Sequence, residues 1–210
     1  MAARGTRARL SQLLEIARLI ARETDASRLL ERILLTAKDA TRADGGSVYM
    51  VDDAARTLSF ALLVNDTLGI RSGGDSGERI DLKAPPLYDA NGAPNHASVV
   101  AHCVHSRQSI RLADAYTAKG FDFAGARAFD AAHGYRSRSF LTVPMIDHAG
   151  AVIGVVQLVN ARHADGSPAS FAADDQTYTE ALTALAAVTL ERQRLVEREQ
   201  RGRARIPAPK

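Results

Sequence analysis

Two apolar segments separated by a four-residue turn constrain the fold of this chain most strongly. Residues 140–144 and 154–160 are rich in Val and Leu, and the turn between them reads Asp147-His148-Ala149-Gly150. Large and β-branched apolar residues on both sides of an Asp/Gly turn predict a β-hairpin. A polar segment with several aromatic residues, residues 114–139, leads into this hairpin. Rigid strands next to such a segment favour a ligand pocket, with the strands as its floor and the segment as its lid.

Several short motifs follow one another in and around this region. They are Asp114-Ala115-Tyr116, Phe121, Asp130, the run His133-Gly134-Tyr135-Arg136-Ser137-Arg138-Ser139, Pro144, and the strand Gly154-Val155-Val156-Gln157-Leu158-Val159-Asn160. Together and in this order they resemble the GAF domain, a small-molecule sensing module. Within that family they are most similar to the GAF domains of cyclic-nucleotide phosphodiesterases and of bacterial regulators that precede an HD-type phosphodiesterase. The resemblance extends from about residue 27 to the last helix.

The resemblance implies a set of ligand-binding residues. They are Ser47 on the first strand, Val99 and Val100 in a helix, Phe121 and Asp122 in the lid, Asp130, His133 and Ser137 after it, and Gln157 on the last strand. Their chemistry suits cyclic AMP or cyclic GMP, because a Phe ring can stack on a base and uncharged polar groups can bond its edges. A phosphate would bind the helix N–H groups near Ser98, which needs no basic side chain. The prediction is that Phe121→Ala and Asp130→Ala weaken binding and leave the fold intact.

The sequence departs from the family pattern at four places. Two are a longer lid between Phe121 and Gly134 and an acidic end, Asp175-Gln176 after Phe171, that keeps only half of the family's Asp-Glu pair. The other two concern the pocket more directly. His133 stands where the family has Thr, and Ala161-Arg162 stands where the family has a Lys after the strand-end Asn. That Lys braces the family's pocket through a salt bridge, so the bracing is expected to be incomplete here. A purely structural interpretation also stays open. Phe121 would then fill the core, Asp130 would cap a turn or helix, and Gln157 would face water.

The periodicity of apolar residues divides the chain into three parts. Residues 1–24 read as an amphipathic signalling or dimerisation helix, residues 25–190 as the GAF domain, and residues 191–210 as a helical arm with a basic tail. Within the domain, Asp25 or Ser27 is expected to cap a second helix, and Ser98 a third. Strands are predicted at residues 47–51, 57–64, 80–82 and 109–112, besides the hairpin. A long helix should run from Asp174 and Asp175 to about residue 199.

These elements predict an α+β fold. A mostly antiparallel sheet of about six strands would carry the first and last helices on one face and the lid, residues 121–134, over the other. No apolar run reaches the roughly 20 residues that a membrane-spanning helix needs, so a cytoplasmic protein is expected. The net charge of +3 is small and its surplus lies at the two ends, which indicates no nucleic-acid partner.

Catalytic and metal-binding patterns are weak. No nucleophile elbow, Gly-rich phosphate loop or pair of catalytic carboxylates is present, so the chain is not expected to be an enzyme itself. His102 and His105 are three residues apart on a helix, but no third ligand has an obvious spacing, and no metal is predicted. Cys103, the single cysteine, lies among apolar helix positions, where a buried and unreactive thiol is expected.

The function predicted from the sequence is a regulatory sensor that forms a homodimer through its terminal helices and passes a signal to a C-terminal output. The alternatives are a dimerisation and relay module whose pocket is filled by its own side chains, and a redox or metal sensor using Cys103 or the histidines. A closed apolar interior with His133 pointing inward would favour the relay.

Overall fold

The computed structural model describes residues 15–20, 22–52 and 54–204, with side chains described as far as residue 193. Its helices and strands are α1 (Ala26–Thr41), β1 (Ala43–Asp52), β2 (Thr57–Asn65), β3 (Ile70–Gly73), α2 (Val99–Ser106), β4 (Ile110–Leu112), α3 (Ala124–His133), β5 (Phe140–Ile146), β6 (Val152–Ala161) and α4 (Ala173–Ala204). Residues 15–20 are also helical, and the remainder of the predicted first helix lies largely outside the described residues.

The six strands form one sheet in the order β3-β2-β1-β6-β5-β4, with every neighbouring pair antiparallel. The predicted hairpin is formed by β5 and β6, and the predicted α+β architecture is confirmed. One face of the sheet is covered by α1 and α4, whose buried Leu, Ile and Ala side chains make the main core. The other face carries α2 and α3, as expected for the lid.

Local chemistry explains the first helix and its position. Asp25 caps α1 by accepting a hydrogen bond of 3.0 Å from the Arg28 amide, and Arg42 ends the helix in the left-handed conformation. Leu34 points at the sheet, and the helix comes so close to it that a Cβ atom on Gly46 would lie 2.8 Å from Leu34 Cδ1. Glycine at this position therefore lets α1 pack directly on β1.

Three sequence-based predictions differ from the structure. The strand predicted at residues 80–82 is wrong, because residues 77–86 have no regular structure, and the strand in this part of the chain is β3 instead. β3 has one large apolar residue, Ile70, and it exists because the edge of β2 offers backbone partners. The lid, expected as a loop, contains the helix α3. The last helix ends at Ala204 rather than near residue 199, and residues 205–210 lie outside the described part.

Candidate functional site

A cavity of about 490 Å³ lies between the sheet and the helices α2 and α3. Strands β1 and β6 form its floor, α2 and the start of α3 form its far wall, and residues 82–97 close one side. This volume is within the range of pockets that hold small molecules and cofactors. The lining is mostly apolar and aromatic, and its charged side chains among the described residues are Lys83 and Asp122.

The floor of the cavity presents polar groups because strand side chains alternate between the two faces of the sheet. On β6, Val156 and Leu158 point into the main core, whereas Gln157 points into the cavity. Ser47 is the neighbour of Gln157 on β1, and both side chains are buried. Gln157 Nε2 donates a hydrogen bond of 3.0 Å to Thr142 Oγ1 on β5, which fixes the orientation of its amide.

The nine residues implicated by the sequence divide into two groups. Six of them line the cavity: Ser47, Val99, Val100, Asp122, Ser137 and Gln157. Phe121, Asp130 and His133 are outside the lining. Whether any of the nine contacts a ligand stays a prediction.

The aromatic side chains of the lid that line the cavity are Phe123, just before α3, and Phe129 on α3, rather than Phe121. Phe121 instead packs edge-on against His102, with ring centroids 5.4 Å apart, on the outer side of α2. His133 is exposed at the last turn of α3, where its Nδ1 lies 2.8 Å from the Phe129 carbonyl oxygen. Phe129, Gly125 and Ala126 also line the cavity, and sequence reasoning missed them. The helical spacing of residues 125, 126 and 129, which puts them on one face of α3, is the signal that could have found them.

Asp130, at the end of the lid, forms hydrogen bonds that hold the lid to neighbouring segments. Its side chain is 2% exposed and accepts hydrogen bonds of 2.8 Å from Tyr116 Oη, the Ser137 amide and Ser137 Oγ. The bond to Asp130 also raises the pKa of Tyr116 above its usual value. The carboxylate thus ties the last turns of α3 to the segment that follows it, so that Ser137 is held in the cavity wall.

A second buried carboxylate braces the cavity from the side of Tyr135. Asp44 is 2% exposed and accepts hydrogen bonds from Tyr135 Oη at 2.6 Å, Thr67 Oγ1 at 2.8 Å and Arg162 Nη2. Burial, followed by the nearby Asp44, raises the pKa of Tyr135, so its hydroxyl stays protonated and donating. Asn160 Nδ2 donates to the same hydroxyl at 2.9 Å.

This arrangement replaces the brace that the family resemblance implies. From the sequence, an incomplete salt bridge was expected, because Ala161 stands in the place of the family's Lys. In the structure, Arg162 forms an ion pair with Asp44 beside the cavity. Asp175 accepts a hydrogen bond of 2.9 Å from the Ala172 amide at the start of α4. The bonds of Asp44 and Asn160 to Tyr135 therefore fix this part of the cavity wall.

Two helix amino ends reach the same cavity. Val99 and Val100 begin α2, and Gly125 and Ala126 lie in the first turn of α3. First-turn amides have no partner within their own helix, and the helix dipole makes this end partly positive. At the start of α2, Ser98 Oγ accepts a hydrogen bond of 3.3 Å from the Ala101 amide, and at the start of α3, Asp122 Oδ1 accepts one of 2.8 Å from the Ala124 amide. The remaining first-turn amides at these two ends are suited to an anionic group.

Cys103 lies on the buried side of α2 and contributes no accessible thiol. It is fully buried, and burial raises its pKa to about 12, so the thiolate is scarce at neutral pH. In the part of the chain that the structure describes, no three His, Cys, Asp or Glu side chains are grouped in a way that could hold a metal ion. No described helix combines the length and apolar character that crossing a membrane requires.

Solved structures of several proteins have the same fold. The GAF domain of a phosphoenolpyruvate-protein phosphotransferase from Coxiella burnetii is 14% identical with a TM-score of 0.63, covering 90% of this chain and 96% of that one. A fragment of a methyl-accepting chemotaxis protein is 21% identical with a TM-score of 0.63, covering 87% and 98%. The GAF domain/HD domain protein from Geobacter sulfurreducens is 18% identical with a TM-score of 0.55, covering 82% and 95%.

At these identities the structural likeness establishes the fold alone. No curated protein matches the chain in sequence. The GAF domain family model, however, matches residues 25–190, which is most of the chain. The protein therefore belongs to the GAF domain family.

Proposed function

We propose that this protein is a regulatory sensor that binds a small anionic heterocycle, with cyclic AMP or cyclic GMP as the leading ligand. The observation that carries the proposal is the cavity of about 490 Å³, which combines buried uncharged polar groups with two helix amino ends. Such a cavity offers a place for a planar base and a place for a phosphate in one volume.

The base would lie among the aromatic side chains. Phe123, Phe129 and Phe140 line the cavity and provide apolar faces, while Ser47 and Gln157 on the floor can hydrogen-bond the base edge. The phosphate would lie at the first turns of α2 and α3. Lys83 at the cavity edge adds a positive charge, whereas Asp122 already accepts a hydrogen bond of 2.8 Å from the Ala124 amide.

The relay alternative predicts a closed apolar interior with His133 turned inward. The structure has neither feature, because the interior contains the cavity and His133 is exposed. This contrast favours a sensing role over a relay filled by its own side chains. The single buried thiol and the absence of a metal-binding group among the described residues give no support to a redox or metal sensor.

The signal would leave the domain through the helices on the opposite face of the sheet. α1 and α4 pack on each other there, and Gln193 Nε2 on α4 donates a hydrogen bond of 3.1 Å to the Glu23 carbonyl oxygen just before α1. α4 continues to Ala204, so a small movement of the sheet on ligand binding would displace the end of this long helix. Val188 on α4 is 68% exposed and Leu19 is 43% exposed, which suits pairing of terminal helices in a homodimer.

The output would be a separate signalling module, such as an HD-type phosphodiesterase, and the protein itself would not be an enzyme. The GAF domain/HD domain protein of similar fold supports this type of partner. The location would be cytoplasmic. We expect neither a nucleic-acid partner nor a metal cofactor.

The test is a calorimetric titration of the purified protein with cyclic AMP, cyclic GMP and cyclic di-GMP, after mass spectrometry of any co-purifying small molecule. We expect saturable binding of cyclic AMP or cyclic GMP. Gln157→Leu should weaken it about tenfold, because a buried hydrogen bond of roughly 1.4 kcal/mol is lost. Gln108→Leu, an exposed position outside the cavity, is the matched control.

Two results would contradict the proposal. If none of the three nucleotides binds and the protein co-purifies with no small molecule, the cavity does not serve nucleotide sensing. If binding occurs and both Gln variants behave like the wild type, a nucleotide binds elsewhere and the floor of the cavity is not its site.

A further inference from the structure

Three histidine rings meet on the outer side of α2, next to the cavity. His96 precedes the helix, and His102 and His105 lie on it. The ring centroids of His96 are 4.9 Å from His102 and 5.7 Å from His105. Sequence reasoning paired His102 with His105 and did not place His96 beside them. We name these three residues the histidine cluster.

The hydrogen bonds of the histidine cluster limit how many protons it can hold. The Nδ1 atoms of His96 and His102 are 3.1 Å apart, so one of them must carry the proton and the other must accept it. His105 Nε2 lies 2.7 Å from the Leu87 carbonyl oxygen, which can only accept, so this nitrogen is protonated. Protonating both His96 and His102 therefore breaks their bond and places two cations in contact.

No described carboxylate forms an ion pair with a ring of the histidine cluster. In the described part of the chain, the one histidine ion pair is that of His148 with Glu191, far from α2 in sequence. The nearby acidic side chains bind backbone amides: Asp89 Oδ1 accepts from Asn91 and Ala93, and Asp122 Oδ1 accepts from Ala124.

The neighbouring basic group adds to the positive charge. Arg56 lies 3.8 Å above the ring of Tyr88, which in turn packs edge-on against His105. On the side of the lid, His102 contacts the uncharged ring of Phe121. A second positive charge on the histidine cluster would therefore lie beside the rings of Tyr88 and Phe121, with Arg56 on the far side of Tyr88.

The histidine cluster holds the segment that closes one side of the cavity. Asn95 and Ala97, on either side of His96, both line the cavity, as do Pro85 and Pro86 in the same segment. This segment, residues 85–97, is joined to α2 by His105 Nε2, which lies 2.7 Å from the Leu87 carbonyl oxygen, and to the lid by the Ala97 carbonyl oxygen, which accepts from the Asp122 amide at 2.8 Å. Leu87 is buried against α2, and Arg56 Nη2 donates to the Gly92 carbonyl oxygen at 3.3 Å. His96 itself is exposed, and its ring joins the far end of the segment to His102 on α2.

We infer that the histidine cluster is a proton-operated gate of the cavity. With one shared proton between His96 and His102, segment 85–97 is held against α2 and the cavity is closed on that side. With both rings protonated, their repulsion releases the segment and opens the cavity. The gate makes access to the cavity depend on pH in the range where histidines titrate, whatever the ligand is.

The environment of His102 acts in the same direction. Burial first, and then the charges of His96 and His105, lower its pKa below the usual histidine value. Because the pKa of His102 is lower in the closed form than in the open form, His102 stabilises the closed form fully when the pH is above the ordinary histidine pKa. This stabilisation is lost as the pH falls from the ordinary pKa through the lowered pKa of the closed form.

Hydrogen exchange followed by mass spectrometry tests the gate in the ligand-free protein. Peptides covering residues 85–97 would be compared at about pH 8 and about pH 5.5, with exchange converted to protection factors. We expect wild-type protection of this segment to fall about tenfold at the lower pH, from repulsion between two partly solvated charges about 5 Å apart. His96→Gln, at an exposed position, should remove most of this fall because only one of the paired rings can then be charged.

The matched control is His163→Gln, an exposed histidine outside the histidine cluster. It should behave like the wild type. His102→Gln provides a second variant of the cluster, with circular dichroism to verify its fold. Equal protection of the wild-type segment at both pH values would overturn the inference. So would an equal loss of protection in the wild type and in His96→Gln, because the change would then have another origin.

Discussion

Replacing Asp130 by alanine tests whether this residue serves the fold or the ligand. The family resemblance predicts that Asp130→Ala weakens ligand binding and leaves the fold intact. The structure leads to the opposite expectation, because the carboxylate is buried and its three donors, the Ser137 amide, Ser137 Oγ and Tyr116 Oη, are all protein groups. We therefore expect the main effect on stability.

The magnitude follows from the partners that would be left behind. Hydrogen bonds to a charged group contribute about 1.5–3 kcal/mol each, and a buried donor without an acceptor is costly. Ser137 is buried and cannot reach water easily, whereas the half-buried Tyr116 hydroxyl can. Removing the carboxylate also removes the cost of burying its charge, so the sum is smaller than three full bonds. We expect a loss of about 3 kcal/mol in the free energy of unfolding.

Urea denaturation followed by far-UV circular dichroism measures this loss, and the thermal midpoint should fall by about 6–12 °C for a domain of this size. Tyr116→Phe should cost about 1 kcal/mol, since it removes the more solvated partner. The matched control is Asp122→Ala, an exposed carboxylate with one bond to a helix amide, which should cost about 1 kcal/mol or less. A loss below about 1 kcal/mol for Asp130→Ala would refute the anchoring role.

Two further predictions concern packing and the buried thiol. Gly46→Ala should cost about 1–3 kcal/mol in the free energy of unfolding, because the new Cβ would lie 2.8 Å from Leu34 Cδ1 and 2.9 Å from the Gln157 carbonyl oxygen. The control is Gly125→Ala in α3, where the new Cβ has no atom within 4 Å, and this change should stabilise the protein by about 0.5–1 kcal/mol. Equal effects of the two substitutions on the free energy of unfolding in urea would contradict the close packing of α1 on β1. The Cys103 thiol, whose pKa burial raises to about 12, should react with a disulfide reagent at about pH 8 at least about a hundredfold more slowly in the folded protein than in guanidinium. Similar rates in both states would show that α2 opens readily.

The sequence alone was sufficient for features that depend on local pattern. The two apolar segments around an Asp/Gly turn predicted the β5–β6 hairpin, and the helical stripe with Asp25 predicted α1 and its cap. The family resemblance also pointed to Ser47 and Gln157, and the structure places both on the cavity floor, where alternation in β6 turns Gln157 away from the main core. For the hairpin and for α1, the residues that carry the prediction lie close in sequence to the element that they predict.

Only the tertiary structure decided the features that join distant parts of the chain. Asp44 and Arg162 are 118 residues apart, and their pairing depends on β1 and β6 being neighbours in the sheet. His96 joins His102 because segment 85–97 folds back on α2, a contact that has no periodicity. β3 forms on the edge of β2 although its own sequence favours no strand. Sequence pattern fixes which face of an element is apolar, but the packing of the elements decides which polar groups meet, because those contacts depend on the relative positions of whole helices and strands.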